Sequence, residues 1–120
     1  MTWASFRTKR EPSTRAKMIP DIRKDMARRL DFDQVPIKPQ RVFKEINEFF
    51  GEGTLFTTCI GLNQIWSSQF QEIFKPRHYL IPGGAGPLGW DLPAAIGAKI
   101  ARPEVLVVDV VGDFGFEFCE

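Results

Sequence analysis

Apolar residues recur along this chain in blocks whose spacing switches between the helical period and the strand period. Residues 1–19 show no regular spacing. From Asp21 onward Ile22, Met26 and Leu30 recur every fourth position, which predicts a short helix with a narrow apolar stripe. Asp31 to Lys38 is polar and then extended by Pro36, so it reads as a connector. Pro39 suits the first turn of a helix, where its missing N–H is no loss. Val42, Ile46, Phe49 and Phe50 follow at the spacing of one buried face, and Gly51 supplies the stop.

Thr54 to Thr58 is a β-prone run of strand length. Asn63 is placed to cap a further helix, with Trp66, Phe70, Ile73 and Phe74 as its apolar face and Pro76 as its end. His78 to Ile81 predicts a second strand that runs into Pro82–Gly89, where four of eight residues are glycine. A helix over Asp91 to Ala101 follows, with Pro93 in its first turn and a surface made small by Ala94, Ala95, Gly97 and Ala98. Val105 to Val111 is a nearly continuous apolar strand, the pattern of the buried centre of a parallel sheet.

Strands alternating with helices imply an α/β fold, a parallel sheet flanked by helices and joined by right-handed crossovers. Residues 35–120 form that unit; residues 1–34 read as a flexible basic arm or linker with one short helix. Sheets of this kind bind ligands at the carboxyl ends of their strands. The candidate chemistry therefore lies in three loops: Cys59–Asn63, Pro82–Gly89 and Gly112–Gly115.

Composition adds limits rather than identity. The chain is 43% hydrophobic with a formal net charge of +1, ordinary values for a globular domain. No apolar run approaches the roughly 20 residues of a membrane-spanning helix, so no membrane partner is expected. The neutral total conceals a split: residues 1–44 carry twelve Lys/Arg against five Asp/Glu, and the remainder four against ten. The basic half is mixed with Asp21, Asp25, Asp31 and Asp33, which favours a solvated linker over a nucleic-acid contact. The first eighteen residues are basic and hydroxyl-bearing in the manner of a transit peptide, but Glu11 and Pro12 interrupt any amphipathic helix there. Cys59 and Cys119 have no metal-ligand spacing and read as packing residues in a reducing, cytoplasmic setting.

Each loop alone supports more than one chemistry. Gly112-Asp113 after an apolar strand places a carboxylate where a hard cation such as Mg²⁺ takes an oxygen ligand, although such a pair also forms simple turns. Gly84-Ala-Gly86-Pro-Leu-Gly89 satisfies the spacing of a dinucleotide fingerprint, and no Lys-Ser/Thr follows it as in a P-loop. A Rossmann-type nucleotide module is thus an open alternative. Against it, the acidic residue at the expected distance, Asp109, lies inside a strand rather than at its end. Ile60-Gly61-Leu62-Asn63 opens a helix, whose N–H groups favour a phosphate.

In combination and in order, three stretches resemble a known family. They are Thr57-Thr-Cys-Ile-Gly-Leu-Asn-Gln-Ile-Trp-Ser-Ser-Gln69, Gly84-Ala-Gly-Pro-Leu-Gly-Trp-Asp-Leu-Pro-Ala-Ala-Ile-Gly-Ala-Lys99 and Val108-Asp-Val-Val-Gly-Asp113. They look like the diphosphate-binding, C-terminal domain of thiamine-diphosphate enzymes, a group that includes acetolactate synthases and glyoxylate carboligases. The stretch Val35–Asn47 and the Gly-Pro-Leu-Gly loop are most similar to glyoxylate carboligase, with acetolactate synthase next. The resemblance covers residues 31–120 and implies a thiamine-diphosphate-binding fold truncated at its C-terminus.

The resemblance also implies roles. Asp113 matches the first Mg²⁺ ligand of a Gly-Asp-Gly motif, with Gly112, Phe114 and Gly115 near the diphosphate. Gly61, Leu62 and Asn63 match the diphosphate-contacting turn. Gly86 and Leu88 match the positions that hold the aminopyrimidine, with the Leu88 side chain under the thiazolium. Phe114 departs from the motif's second glycine, a departure that carboligase relatives tolerate. The family's second metal ligand, an Asn, lies beyond residue 120, and the glutamate most relatives use to activate the cofactor belongs to another domain and is absent from glyoxylate carboligases. The cofactors implied are thiamine diphosphate and Mg²⁺. The parent is expected to be a homo-oligomer acting on a small 2-oxo acid, condensing two glyoxylates with loss of CO₂. The isolated chain, lacking those other parts, is expected to show no turnover or to act only as a non-catalytic fragment.

Overall fold

A computed structural model describes residues 11–120; the basic start over residues 1–10, with most of the transit-peptide-like pattern, lies outside the described residues. Five helices and three strands follow in order: α1 (Thr14–Asp25), α2 (Pro39–Phe50), β1 (Leu55–Thr58), α3 (Leu62–Phe70), β2 (Tyr79–Leu80), α4 (Asp91–Ala101), β3 (Val107–Val110) and α5 (Asp113–Glu117). The strands form one parallel sheet in the order β2-β1-β3. From β1 the chain crosses to β2 on one side, then back over β1 to β3 on the other. Two right-handed crossovers that run in opposite directions put α3 and α4 on opposite faces of the sheet. The expected α/β architecture is present.

β1 is the strand buried throughout, because it has a neighbour on each edge and a helix on each face. Leu55, Phe56 and Cys59 are buried, and the Phe50 ring meets Phe56 edge-on at 6.2 Å. The expectation that Val105–Val111 is the central strand does not hold among the described residues. β3 borders β1 alone and is only half-buried.

Register decides where the loops fall. Phe56 lies beside Tyr79 and Val108, and Thr58 beside Val110. β1 and β3 therefore end level and β2 one residue earlier, and the residues after them share one edge of the sheet. The opposite edge is pinned by His78, which is buried. Its Nδ1 lies 3.1 Å from the Thr54 carbonyl, which can only accept, so Nδ1 carries the proton. Nε2 is then free to accept from the Arg102 guanidinium at 3.1 Å. One ring thus ties the starts of β1 and β2 to the end of α4. Lys99 adds to this edge by donating to the Pro103 and Val105 carbonyls at 2.8 and 2.9 Å.

Helix limits and faces depart from the sequence pattern in four places. α1 begins at Thr14 instead of Asp21, because Ser13 caps it by accepting from the Ala16 N–H at 3.2 Å, and it carries Pro20 inside. Ile22 and Met26 of its stripe are exposed. α2 buries Phe43, outside the expected face; of that face Ile46 and Phe50 are half-buried, whereas Val42 is exposed and Phe49 is 83% exposed. The outward residues line an apolar groove of about 610 Å³ with Val35 and Ile37. α3 ends at Phe70, short of Ile73 and Phe74, because Asn47 on α2 takes over the hydrogen bonds there. Its Nδ2 donates to the Phe70 carbonyl at 2.9 Å and its Oδ1 accepts from the Glu72 N–H at 3.0 Å.

Phe56→Ala is expected to lower the unfolding free energy by about 3–5 kcal/mol, the range for emptying a buried aromatic site. Phe49→Ala is expected to change it by less than about 0.5 kcal/mol. Urea unfolding of the two variants checks both, and equal losses would contradict the placement of the core.

Candidate functional site

The carboxyl edge of the sheet gathers the three glycine-bearing turns. After β1 the chain turns at Gly61, whose φ of 139° is open to glycine and strained for other residues. A Cβ built there would lie 2.4 Å from Asn63 Oδ1. The same oxygen lies 3.5 Å from a Cβ built at Gly112, the residue that leads out of β3. Asn63 Oδ1 therefore sits between the first and third turns. The second turn joins them through Gly86, at a φ of 60°, where a Cβ would meet Ile60 Cδ1 at 3.1 Å. Gly84, central to the dinucleotide-like string, has nothing within 4 Å of such a position.

Asn63 is not the expected cap. Gly61 is the N-cap of α3 and makes no side-chain cap bond. The Asn63 amide instead turns back over the sheet. Its Nδ2 donates toward the Val110 carbonyl at 3.0 Å, Thr58 Oγ1 at 3.1 Å and the Cys59 carbonyl at 3.2 Å. Thr58 Oγ1 in turn donates to the Val110 carbonyl at 2.8 Å.

The third turn is shorter than its sequence suggests. Residues 113–117 form α5 rather than a loop, with Gly112 as N-cap. Asp113 is exposed, and its Oδ1 accepts from the Phe114 N–H at 2.9 Å, which leaves Oδ2 open. Phe114 is exposed, as is Leu88, whereas Gly115 is buried. A Cβ at Gly115 would come within 2.7 Å of Cys59 Sγ and 3.0 Å of Val111 Cγ2. Its smallness lets α5 approach β1. Cys119 is exposed, contrary to its reading as a packing residue, and its Sγ lies 3.3 Å from the Gly89 carbonyl.

Behind the turns lies a polar layer that hydrophobic patterning passes over. Thr57 and Thr58 are fully buried on β1, and Thr57 Oγ1 donates to Asp109 Oδ1 at 2.9 Å. Asp91 is fully buried at the first turn of α4, where the helix N-terminus favours a carboxylate. Burial raises the Asp109 carboxyl to about 6 and the Asp91 charge adds to the rise, against the lowering by Thr57. Burial, with Asp91 alongside, raises the Cys59 thiol to about 11, so it stays protonated and is no nucleophile at neutral pH. The available signal was a polar residue inside an apolar strand: Thr57, Thr58 and Asp109 all interrupt β1 or β3.

The edge fits a diphosphate-bearing cofactor in its backbone rather than its side chains. Gly61, Gly86 and Gly112 let the three turns close against Asn63 and Ile60, where Cβ atoms would crowd them, and the turn at Gly61 opens a nine-residue helix whose first N–H groups suit a phosphate. For a divalent cation this edge offers the exposed carboxylate of Asp113. Among the described residues no group of three His, Cys, Asp or Glu side chains could hold a metal ion by itself. Among the described residues, too, no helix is long and apolar enough to cross a membrane.

Asp109→Asn keeps an acceptor for Thr57 and removes a carboxyl whose folded value lies above its unfolded one. Such a group stabilises the fold below about pH 4, and that contribution is lost as pH rises through about 6. The variant is therefore expected to gain roughly 1 kcal/mol over the parent chain at pH 7.5, allowing for solvent screening. The gain should shrink toward pH 4. Urea midpoints across that range check it, and a gain independent of pH would contradict it.

The sequence is similar to those of known proteins. Residues 59–119 match the thiamine pyrophosphate enzyme, C-terminal TPP binding domain. The chain is 47% identical over 96 residues to a glyoxylate carboligase of Escherichia coli O157:H7, covering 80% of this chain and 16% of that protein. It is 39% identical over 113 residues to a probable acetolactate synthase large subunit of Methanocaldococcus jannaschii, covering 89% of this chain and 19% of that protein. Against a chloroplastic acetolactate synthase of Arabidopsis thaliana it is 42% identical over 80 residues, 67% of this chain and 12% of that one. The chain thus spans less than a fifth of the length of these relatives. It belongs to the thiamine pyrophosphate enzyme family, as part of the C-terminal, cofactor-binding domain.

Proposed function

We propose that this chain carries the diphosphate-binding side of a thiamine-diphosphate- and Mg²⁺-dependent carboligase. The observation that supports it most directly is the meeting of the Gly61, Gly86 and Gly112 turns at one sheet edge. In this reading the backbone of Gly61 and Leu62 receives the diphosphate, aided by the N-terminal end of α3. Gly112, Phe114 and Gly115 line the same end, and Asp113 supplies one carboxylate oxygen to Mg²⁺, which takes the rest of its ligands from phosphate, water and other protein oxygens. Gly86 approaches the aminopyrimidine with its backbone, and Leu88 offers an apolar support to the thiazolium. The bound cofactor supplies the carbanion chemistry, and the protein binds, bends and shields it.

The parent reaction proposed is the decarboxylative condensation of two glyoxylates to tartronate semialdehyde and CO₂, within a homo-oligomer. The higher identity to a glyoxylate carboligase and the aromatic Phe114 after Gly112-Asp113 favour this over an acetolactate synthase-like reaction of 2-oxo acids.

Calorimetric titration with thiamine diphosphate, with and without Mg²⁺, is expected to show metal-dependent binding, and titration with NAD⁺ none. Asp113→Ala should weaken the Mg²⁺-dependent binding by at least about tenfold. An unchanged affinity would remove Asp113 from the metal site, and binding of NAD⁺ alone would overturn the reading.

A further inference from the structure

We infer that Asn63 is a positioning residue that holds the turns after β1 and β3 at a fixed spacing, rather than a donor to the cofactor. The inference rests on the proposed diphosphate site for its functional meaning, and on the unliganded fold for its geometry.

An amide NH₂ has two hydrogens. Those of Asn63 face three acceptors: the Val110 carbonyl at the end of β3, and Thr58 Oγ1 and the Cys59 carbonyl at the end of β1. Both hydrogens are thereby engaged within the protein, one of them shared. The amide cannot be reversed, because its oxygen would then face two carbonyl oxygens with no proton between them. What remains is Oδ1, lodged between the Gly61 and Gly112 backbones at 2.4 and 3.5 Å from their would-be Cβ positions. An acceptor oxygen has nothing to donate to a diphosphate.

The strut is doubled by Thr58, fully buried, whose hydroxyl donates to the same Val110 carbonyl. Together the two side chains extend the β1–β3 pairing one step past the last strand residues. Each turn also carries a hydrogen bond that reports on it: the Ile65 N–H donates to the Gly61 carbonyl at 3.2 Å, and the Phe116 N–H to the Gly112 carbonyl at 3.1 Å. Loss of the strut frees the two turns to move relative to each other and loosens both bonds, whether or not a ligand is present.

The test is amide hydrogen exchange on the unliganded 120-residue chain, followed by titration with inorganic diphosphate and with thiamine diphosphate plus Mg²⁺. Asn63→Ala is expected to speed exchange at Ile65 and Phe116 by about tenfold, the scale of leaving buried carbonyls unpaired, with Phe56 unchanged. Both ligands should weaken together. Thr58→Val, close in shape, should give a smaller effect in the same direction, and the double variant should fall short of the sum of the two in free energy. It also serves if Asn63→Ala does not fold. Exchange unchanged at Ile65 and Phe116, with diphosphate affinity lost, would show direct contact and overturn the inference. Faster exchange at those amides in a chain that binds no thiamine diphosphate would uphold the strut while refuting the proposed cofactor site.

Discussion

The structure depends on parallel pairing of β1 with both of its neighbours, their ends within one residue of each other. Thr58 beside Val110 and Thr57 beside Leu80 bring three sequence-distant turns to one edge. Two-sided pairing also buries every residue of β1, which makes that strand both the centre of the core and the floor of the site. Parallel strands need long crossovers. Here the crossovers supply the helices that cover the sheet and the glycine turns that lead out of it.

A second constraint is the polar layer beneath the turns. Thr57, Thr58, Asp91 and Asp109 are placed where apolar residues would pack more simply. Thr58 and Asn63 offer the reason: hydroxyl and amide groups can span the ends of two strands, whereas methyl groups cannot fix a spacing. Burial, with the Asp91 side chain alongside, keeps the Cys59 thiol protonated. The opposite edge uses the same strategy, with one imidazole joining Thr54 to Arg102. The sheet is thus fixed at both ends by side-chain bridges, and its glycines are free to shape the open edge.

Much of this was legible in the sequence. The alternation of strands and helices, the start of α2 at Pro39, the bounds of α4 and the first two loops follow from apolar spacing and from proline and glycine positions. The departures come from tertiary bonds that spacing does not record. Ser13 extends α1 backward, Asn47 ends α3 at Phe70, and α2 turns Phe43 inward while Phe49 faces out. Asn63 is the instructive case at the site. A polar residue at the start of a helix reads as a cap, and only the neighbouring strand's Val110 carbonyl gives its amide another partner. Gly115 is similar: it reads as part of a ligand motif and is buried against Cys59.

The central claim is that the carboxyl edge of the sheet receives thiamine diphosphate. Amide shift mapping of the unmodified chain, titrated with thiamine diphosphate and Mg²⁺, tests it most directly. The account predicts that shifts concentrate at Gly61, Leu62, Gly86, Gly112 and Asp113, with His78 and Arg102 at the far edge unmoved. Shifts centred on the α2 groove around Val35 and Phe49, or spread without regard to the three turns, would contradict it.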